Sequence, residues 1–201
     1  RGIALPSRMP RLDYLTAGES HGPGMLCVVS GIPSGVTIDT DRIDACLARR
    51  QGGYGRGGRQ KIERDRVEVL SGVRAGVSMG SPITLRVVNR DARLDDAAKT
   101  PPVFRPRPGH ADLAGAIKHL TTDCRGVLER ASARETAARV AAGALAGELL
   151  REFGIEAMGF TRSILGEACG VDVRESNWRE VRAARDASET YCPDDAVTSR
   201  Q

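Results

Sequence analysis

The sequence predicts a mixed α+β chain, on three observations. Ahead of Asn89, short apolar runs of strand length are each closed by glycine or proline. Beyond Ser132, alanines and leucines recur at three and four, the period of a helix. The core joining them must be aliphatic, because aromatics make up 3% of the 201 residues while hydrophobic residues make up 40%. That length suits one domain with a sizeable core, or a large piece of a bigger one.

Residues 1–13 show no periodicity and read as a tail, of which 1–11 is set outside the domain. Residues 25–30 and 36–38 read as two strands across the Gly31-Ile32-Pro33-Ser34-Gly35 turn. Thr40 is expected to cap a helix over 41–50, with Asp41 and Asp44 in its first turn and Arg49 and Arg50 in its last. The glycines that follow (Gly52, Gly53, Gly55, Gly57, Gly58) make a basic loop. Residues 67–71 and 83–88 read as strands, with Gly72, Gly76 and Gly80 marking turns. Residues 89–109 have no period and are stiffened by Pro101, Pro102, Pro106 and Pro108, as functional loops of that length often are. Helices are predicted over 111–119, 132–153 and 178–186, with Gly154 ending the second. Residues 155–168 look extended, and 194–201 look like the opening of another helix, which predicts that more chain completes the fold.

The formal charge is +4 and rests on arginine, lysine being confined to Lys61, Lys99 and Lys118. Genome base composition accounts for such a bias as readily as function does. The clustering says more: Arg42, Arg49, Arg50, Arg56, Arg59, Arg64 and Arg66 lie in one segment. A patch of this kind attracts nucleic acid, phosphate or carboxylate. Only Tyr54 is near enough to stack bases, so small anionic ligands are favoured over nucleic acid. The five cysteines have no zinc-like spacing and are expected as reduced thiols, with no metal site. No run approaches the roughly 18 apolar residues of a membrane span, so a cytoplasmic protein is expected.

Three segments carry chemistry. In Gly18-Glu19-Ser20-His21-Gly22 the flanking glycines expose the side chains between them, and His21 can hold or release a proton near neutral pH. His110, behind the Pro108-Gly109 turn, has Arg107 and Asp112 close by. Read alone, each histidine is more often a structural one in a hydrogen-bonded turn; two glycine-flanked histidines among only three shift the balance towards a functional pair. His119 reads as a surface residue. Arg130, Ser132 and Arg134 are expected at the entrance of the long helix, Arg130 and Arg134 on one face, where an anion is favoured. A salt-bridged helix start is the alternative. The glycine–arginine loop lacks Gly-Lys-Ser/Thr and is no P-loop.

Together these segments resemble the chorismate synthase family. The resemblance runs from Thr16-Ala17-Gly18-Glu19-Ser20-His21-Gly22 and Gly31-Ile32-Pro33 through Arg49-Arg50 and Gly53-Tyr54-Gly55-Arg56. It continues through Leu70-Ser71-Gly72-Val73, Gly80-Ser81-Pro82-Ile83, 105–112 and 127–143, spanning residues 12–168 in order. It implies a β-α-β sandwich, incomplete here, with this chain as the N-terminal portion of a single domain. It also implies a lyase that converts 5-enolpyruvylshikimate 3-phosphate to chorismate by 1,4-elimination of phosphate. The lyase uses reduced FMN with no net redox change.

By position in those motifs, His21 would protonate the departing phosphate, His110 would hold a proton at the reduced flavin, and Ser20 would relay protons. Arg130, Ala131 and Ser132 match a flavin-contact segment. Arg50 and Arg56 match positions for NADPH, the reductant of bifunctional members, and suit a substrate anion as well. Arg107 and Arg134 are added as anion-binding candidates on their charge. Gln51 stands where many relatives have a third arginine, and His119 where a tyrosine is common. The resemblance further implies a homotetramer at full length, with no nucleic acid or membrane partner. The alternative for these 201 residues is an anion- and flavin-binding fragment without turnover.

Overall fold

The computed structural model describes residues 11–55 and 62–201. Nine strands and six α-helices are found among them: β1 (Asp13–Ala17), β2 (Gly24–Ser30), β3 (Ser34–Thr37), α1 (Thr40–Gln51), β4 (Val67–Ser71), β5 (Val73–Arg74), β6 (Val77–Met79), β7 (Ile83–Val88), α2 (Asp112–His119), α3 (Arg125–Arg130), α4 (Thr136–Arg151), β8 (Ser163–Ile164), β9 (Glu167–Ala168), α5 (Trp178–Ala187) and α6 (Asp195–Thr198). The predicted α+β class holds.

Four strands form an antiparallel sheet in the order β1-β2-β7-β4. Alternation sets its inner face: Met25 lies opposite Val87, Cys27 opposite Leu85, and Val29 opposite Ile83, all buried. Onto this face α4 lays Ala137, Ala138, Ala141, Ala142 and Leu145. Its small side chains allow the close approach that the alanine stripe predicted. Helix α1 packs on α4 and adds Ile43 and Leu47. Gly154, at φ +69°, closes α4: its N–H and that of Ile155 donate to the Arg151 and Leu150 carbonyls.

Several expectations give way. Strand β3 does not pair with β2 but with β6, in a second sheet ordered β3-β6-β5. Gly31 at φ +89° turns the chain out of the first sheet, and the Ser78 hydroxyl, donating to the Pro33 carbonyl and accepting from the Val36 N–H, holds it in the second. The cap of α1 is Asp39, whose Oδ1 accepts from the N–H groups of Asp41 and Arg42; Thr40 is already helical. Asp44 instead accepts from the Val67 N–H at 2.7 Å, tying α1 to β4.

The helix predicted from residue 132 begins at Thr136 and is preceded by α3 and a 3₁₀ turn, Ala133–Glu135. Ser132 breaks the run in an extended conformation, its Oγ accepting from the Arg134 N–H. Residues 163–168, predicted as extended, turn back as the β8–β9 hairpin over Leu165 and Gly166, both at positive φ. Part of the predicted tail is β1. All five cysteines are thiols and four are buried; burial pushes Cys27 up to about 11. No helix among the described residues is long and apolar enough to cross a membrane.

Candidate functional site

The segment 18–22 is the connection between β1 and β2. Gly18 sits at φ +99°, and a Cβ there would lie 2.2 Å from the Gly24 carbonyl oxygen, so only glycine fits. Asn89, just past β7, clasps the loop: its Nδ2 donates to the carbonyls of Glu19 (3.0 Å), Ser20 (3.2 Å) and Gly22 (2.8 Å). This clasp presents His21 to the end of α3. There the ring Nδ1 lies 2.9 and 3.0 Å from the two carboxylate oxygens of Glu129, a fully buried side chain. The His21 N–H donates to the same carboxylate at 3.0 Å, and the Ser20 N–H donates to the Glu129 main-chain carbonyl at 2.9 Å. On the other side of the ring, Nε2 is 3.4 Å from Arg93 Nη2 and 3.6 Å from Asp91. The Ser132 hydroxyl donates to Ser20 Oγ at 3.1 Å.

His110 lies in a second cluster, where Arg107 grips the buried Asp112 at two points, 2.8 and 3.0 Å. The His110 Nδ1 is 2.9 Å from Arg107 Nη2 and 3.1 Å from Asp112 Oδ1. The guanidinium holds the Asp112 carboxyl well below the usual carboxylate range. Arg107 is raised in turn, chiefly by its bond to Asp112.

The third cluster is ionic. Arg134 is only 4% exposed: Nη1 donates to both oxygens of Asp65 at 2.7 Å, Nε to Asn89 at 2.7 Å, and Nη2 to the Val88 carbonyl. Arg50 Nη2 shares Asp65 at 2.7 Å, while its buried Nε has no hydrogen-bond partner among the described residues. Gln51 clasps the adjoining backbone, donating to the Glu63 carbonyl and accepting from the Asp65 N–H. The residue that removed one predicted anion contact thus positions Asp65.

Asn89 ties the loop of Ser20 and His21 to Arg134, Asp65 ties Arg134 to Arg50, and Ser132 reaches Ser20, whereas His110 and Arg107 form their own cluster around Asp112. The free positive charge expected of these residues is largely neutralised: Asp65 pairs with Arg50 and Arg134, Asp112 with Arg107, and Glu129 with Arg125. Arg130 and Arg134 do not share a face, because the break at Ser132 separates them. Arg130 reaches Thr16 instead, donating to its carbonyl and hydroxyl at 2.9 and 2.8 Å. Ala131 ends α3, its N–H donating to Val127. Arg56 lies outside the described residues. His119 is exposed, as its helix position predicted. Sequence reasoning missed Asn89, Asp65 and the inward role of Glu129. The Arg125–Glu129 spacing of four was visible, but the burial of Glu129 was not.

Comparison with known proteins identifies the family. A sequence model described as chorismate synthase matches residues 12–201. The chorismate synthase of Symbiobacterium thermophilum is 51% identical over 94% of this chain and 52% of its own length. That of Thermoanaerobacter pseudethanolicus is 51% identical over 89% of this chain and 50% of its own length. A crystal structure of chorismate synthase superposes with a TM-score of 0.77 and 36% identity, covering 96% of this chain and 52% of that one. The chain spans about half the length of the curated relatives it matches. With the family match running from residue 12 to residue 201, the chain belongs to the chorismate synthase family.

Proposed function

We propose that this chain supplies one half of a chorismate synthase active site, as the N-terminal portion of a single domain. The reaction is the anti-1,4-elimination of phosphate from 5-enolpyruvylshikimate 3-phosphate to give chorismate, using reduced FMN with no net redox change. The observation that carries this reading is a pair of histidines, each within hydrogen-bond reach of a fully buried carboxylate and each beside arginine. Family membership supplies the choice of reaction.

Breaking the carbon–oxygen bond leaves charge on the departing phosphate, which a proton and fixed cations stabilise. His21 delivers that proton. His110 holds a proton at the flavin, and Ser20 relays one between the histidine and flavin sides, with Ser132 directed at its oxygen. Arg107 and Arg50 hold substrate anions, Arg50 while anchored to Asp65; Arg134, buried and bonded through all three of its nitrogens, holds Asp65 in place instead of meeting the substrate. Arg130, Ala131 and Ser132 fit the polar rim of a flavin: Thr16 fixes one nitrogen of Arg130, and its side chain is 42% exposed. Bound reduced FMN would lend an electron that assists phosphate departure and regain it as the ring hydrogen leaves as a proton, so that no net redox change results. Arg50, whose side chain is 16% exposed, is assigned to an incoming anion, either substrate or NADPH, and Arg56 is assigned the same role. The proposed setting is a cytoplasmic homotetramer of full-length chains.

The test is anaerobic incubation of a full-length family protein carrying this chain with reduced FMN and substrate, following phosphate release. His21→Ala and His110→Ala are each expected to lower turnover by about 10²–10⁴-fold, the weight of general acid–base catalysis. Wild-type rates in either variant remove that histidine from the mechanism. A second reading, that these residues alone bind anion and flavin without turnover, is favoured by their half-length match to the relatives. Flavin binding by the chain alone with no phosphate release is its signature.

A further inference from the structure

We infer that Glu129 is the positioning residue of His21, fixing the ring proton on Nδ1 so that Nε2 alone exchanges protons with bound substrate. This inference rests on the proposed role of His21 and adds to it a residue 108 positions away.

Two donors and the His21 ring converge on the Glu129 carboxylate: the His21 N–H at 3.0 Å, Arg125 Nη1 at 3.3 Å, and ring Nδ1 at 2.9 and 3.0 Å. The first two only donate, and the Arg125 charge beside them stabilises the carboxylate form. A carboxylate only accepts, which places hydrogen on the Nδ1 facing it. The main chain of Glu129 also receives the Ser20 N–H, so one residue fixes both the loop and the ring. Nε2 lies on the opposite edge, at 3.6 Å from Asp91 and 3.4 Å from Arg93, looser than a formed hydrogen bond, and the side chain as a whole is 17% exposed.

His110 provides the contrast. Its Nδ1 lies between Arg107 Nη2 at 2.9 Å, which only donates, and Asp112 Oδ1 at 3.1 Å, which only accepts, so its neighbours do not impose one tautomer as Glu129 does on His21. In proton delivery, the His21 Nε2–H bond breaks as a phosphate oxygen–hydrogen bond forms, and the ring returns to the neutral Nδ1–H form. The hydrogen facing Glu129 never leaves.

The experiment is multiple-bond ¹⁵N–¹H spectroscopy of the labelled protein at a pH where the rings are neutral, with turnover measured in parallel. Wild-type His21 should show Nδ1 protonated and Nε2 bare. Glu129→Gln places an amide N–H₂ where a carboxylate stood, and should give a mixed or reversed pattern. Its kcat should fall about 10²-fold, within the span of general acid–base effects, with KM unchanged. Glu129→Asp, which keeps the carboxylate, should restore the wild-type pattern, and Glu129→Gln should add no loss to His21→Ala. A wild-type ring protonated on Nε2, or a folded Glu129→Gln with an unchanged pattern, overturns the inference. The wild-type spectrum decides even if Glu129→Gln does not fold. The expected pattern with no phosphate release by the wild-type protein would sink the proposed reaction and leave the positioning role standing.

Discussion

Asp65→Asn replaces a carboxylate with an amide of the same shape, and the ionic cluster sets the size of the effect. The wild-type side chain is fully buried and takes three hydrogen bonds of 2.7 Å, two from Arg134 and one from Arg50. Bonds to charged groups are worth about 1.5–3 kcal/mol each, but their sum overstates the loss because the wild-type ions were themselves desolvated. The deciding quantity is how much charge is left stranded. Arg50 is 16% exposed and can turn towards water. Arg134, at 4%, cannot, and keeps Asn89, the Val88 carbonyl and only a long ion pair to Glu63 at 3.9 Å. Stranding one partner of a buried pair costs about 3–5 kcal/mol, and with one of two guanidiniums able to escape the lower end, about 3 kcal/mol, is expected. At about 2–4 °C per kcal/mol for a chain of this size, Tm should drop by about 6–12 °C. Urea unfolding followed by circular dichroism measures it. Adding Arg134→Leu should reveal a coupling of about 1–3 kcal/mol. A loss below about 1 kcal/mol in Asp65→Asn would mean that Arg134 is not stranded, and the burial argument would fall.

Leu145→Ala empties a fully buried site between α4 and the four-stranded sheet and should cost about 2–5 kcal/mol by the same unfolding assay. Gly18→Ala forces a side chain to φ +99° and against the Gly24 carbonyl; the backbone strain alone is about 1–3 kcal/mol, and an unchanged Tm would contradict it. For Asp112 the folded carboxyl lies below its ordinary value of 3.8, chiefly through Arg107. The unfolded chain therefore takes up a proton first as pH falls. The stabilisation is present above about pH 5 and is lost as pH drops through 3.8 towards the lower folded value. Stability measured from pH 6 to pH 3 should fall less steeply in Asp112→Asn than in the wild type, and equal slopes would refute the assignment. Some acid sensitivity should persist in the variant, because Asp123 and Glu135 are lowered too.

The sequence by itself determined the elements whose pattern is local. Helix α4 was legible because Ala137, Ala141 and Leu145 step at the helical period. Strands β4 and β7 were legible because alternating aliphatic residues stand between glycines, and Gly72, Gly76 and Gly80 do take positive φ. The two histidine loops were legible as well, since glycine on either side of a polar run is a local signal. The break at Ser132 was not, because a serine that caps a 3₁₀ turn and a serine that begins a helix look alike until the side chain picks its N–H. Only the tertiary structure decided that β3 leaves the sheet of β2, and which charges meet. Asp65 is 15 residues from Arg50 and 69 from Arg134, and Glu129 is 108 from His21. Whether a carboxylate is a solvated surface charge or a buried acceptor depends on which loops the packed sheet and helices bring to one place, and desolvation there makes the pairing matter. That is why the candidate catalytic residues could be read in order along the chain while the groups that hold them could not.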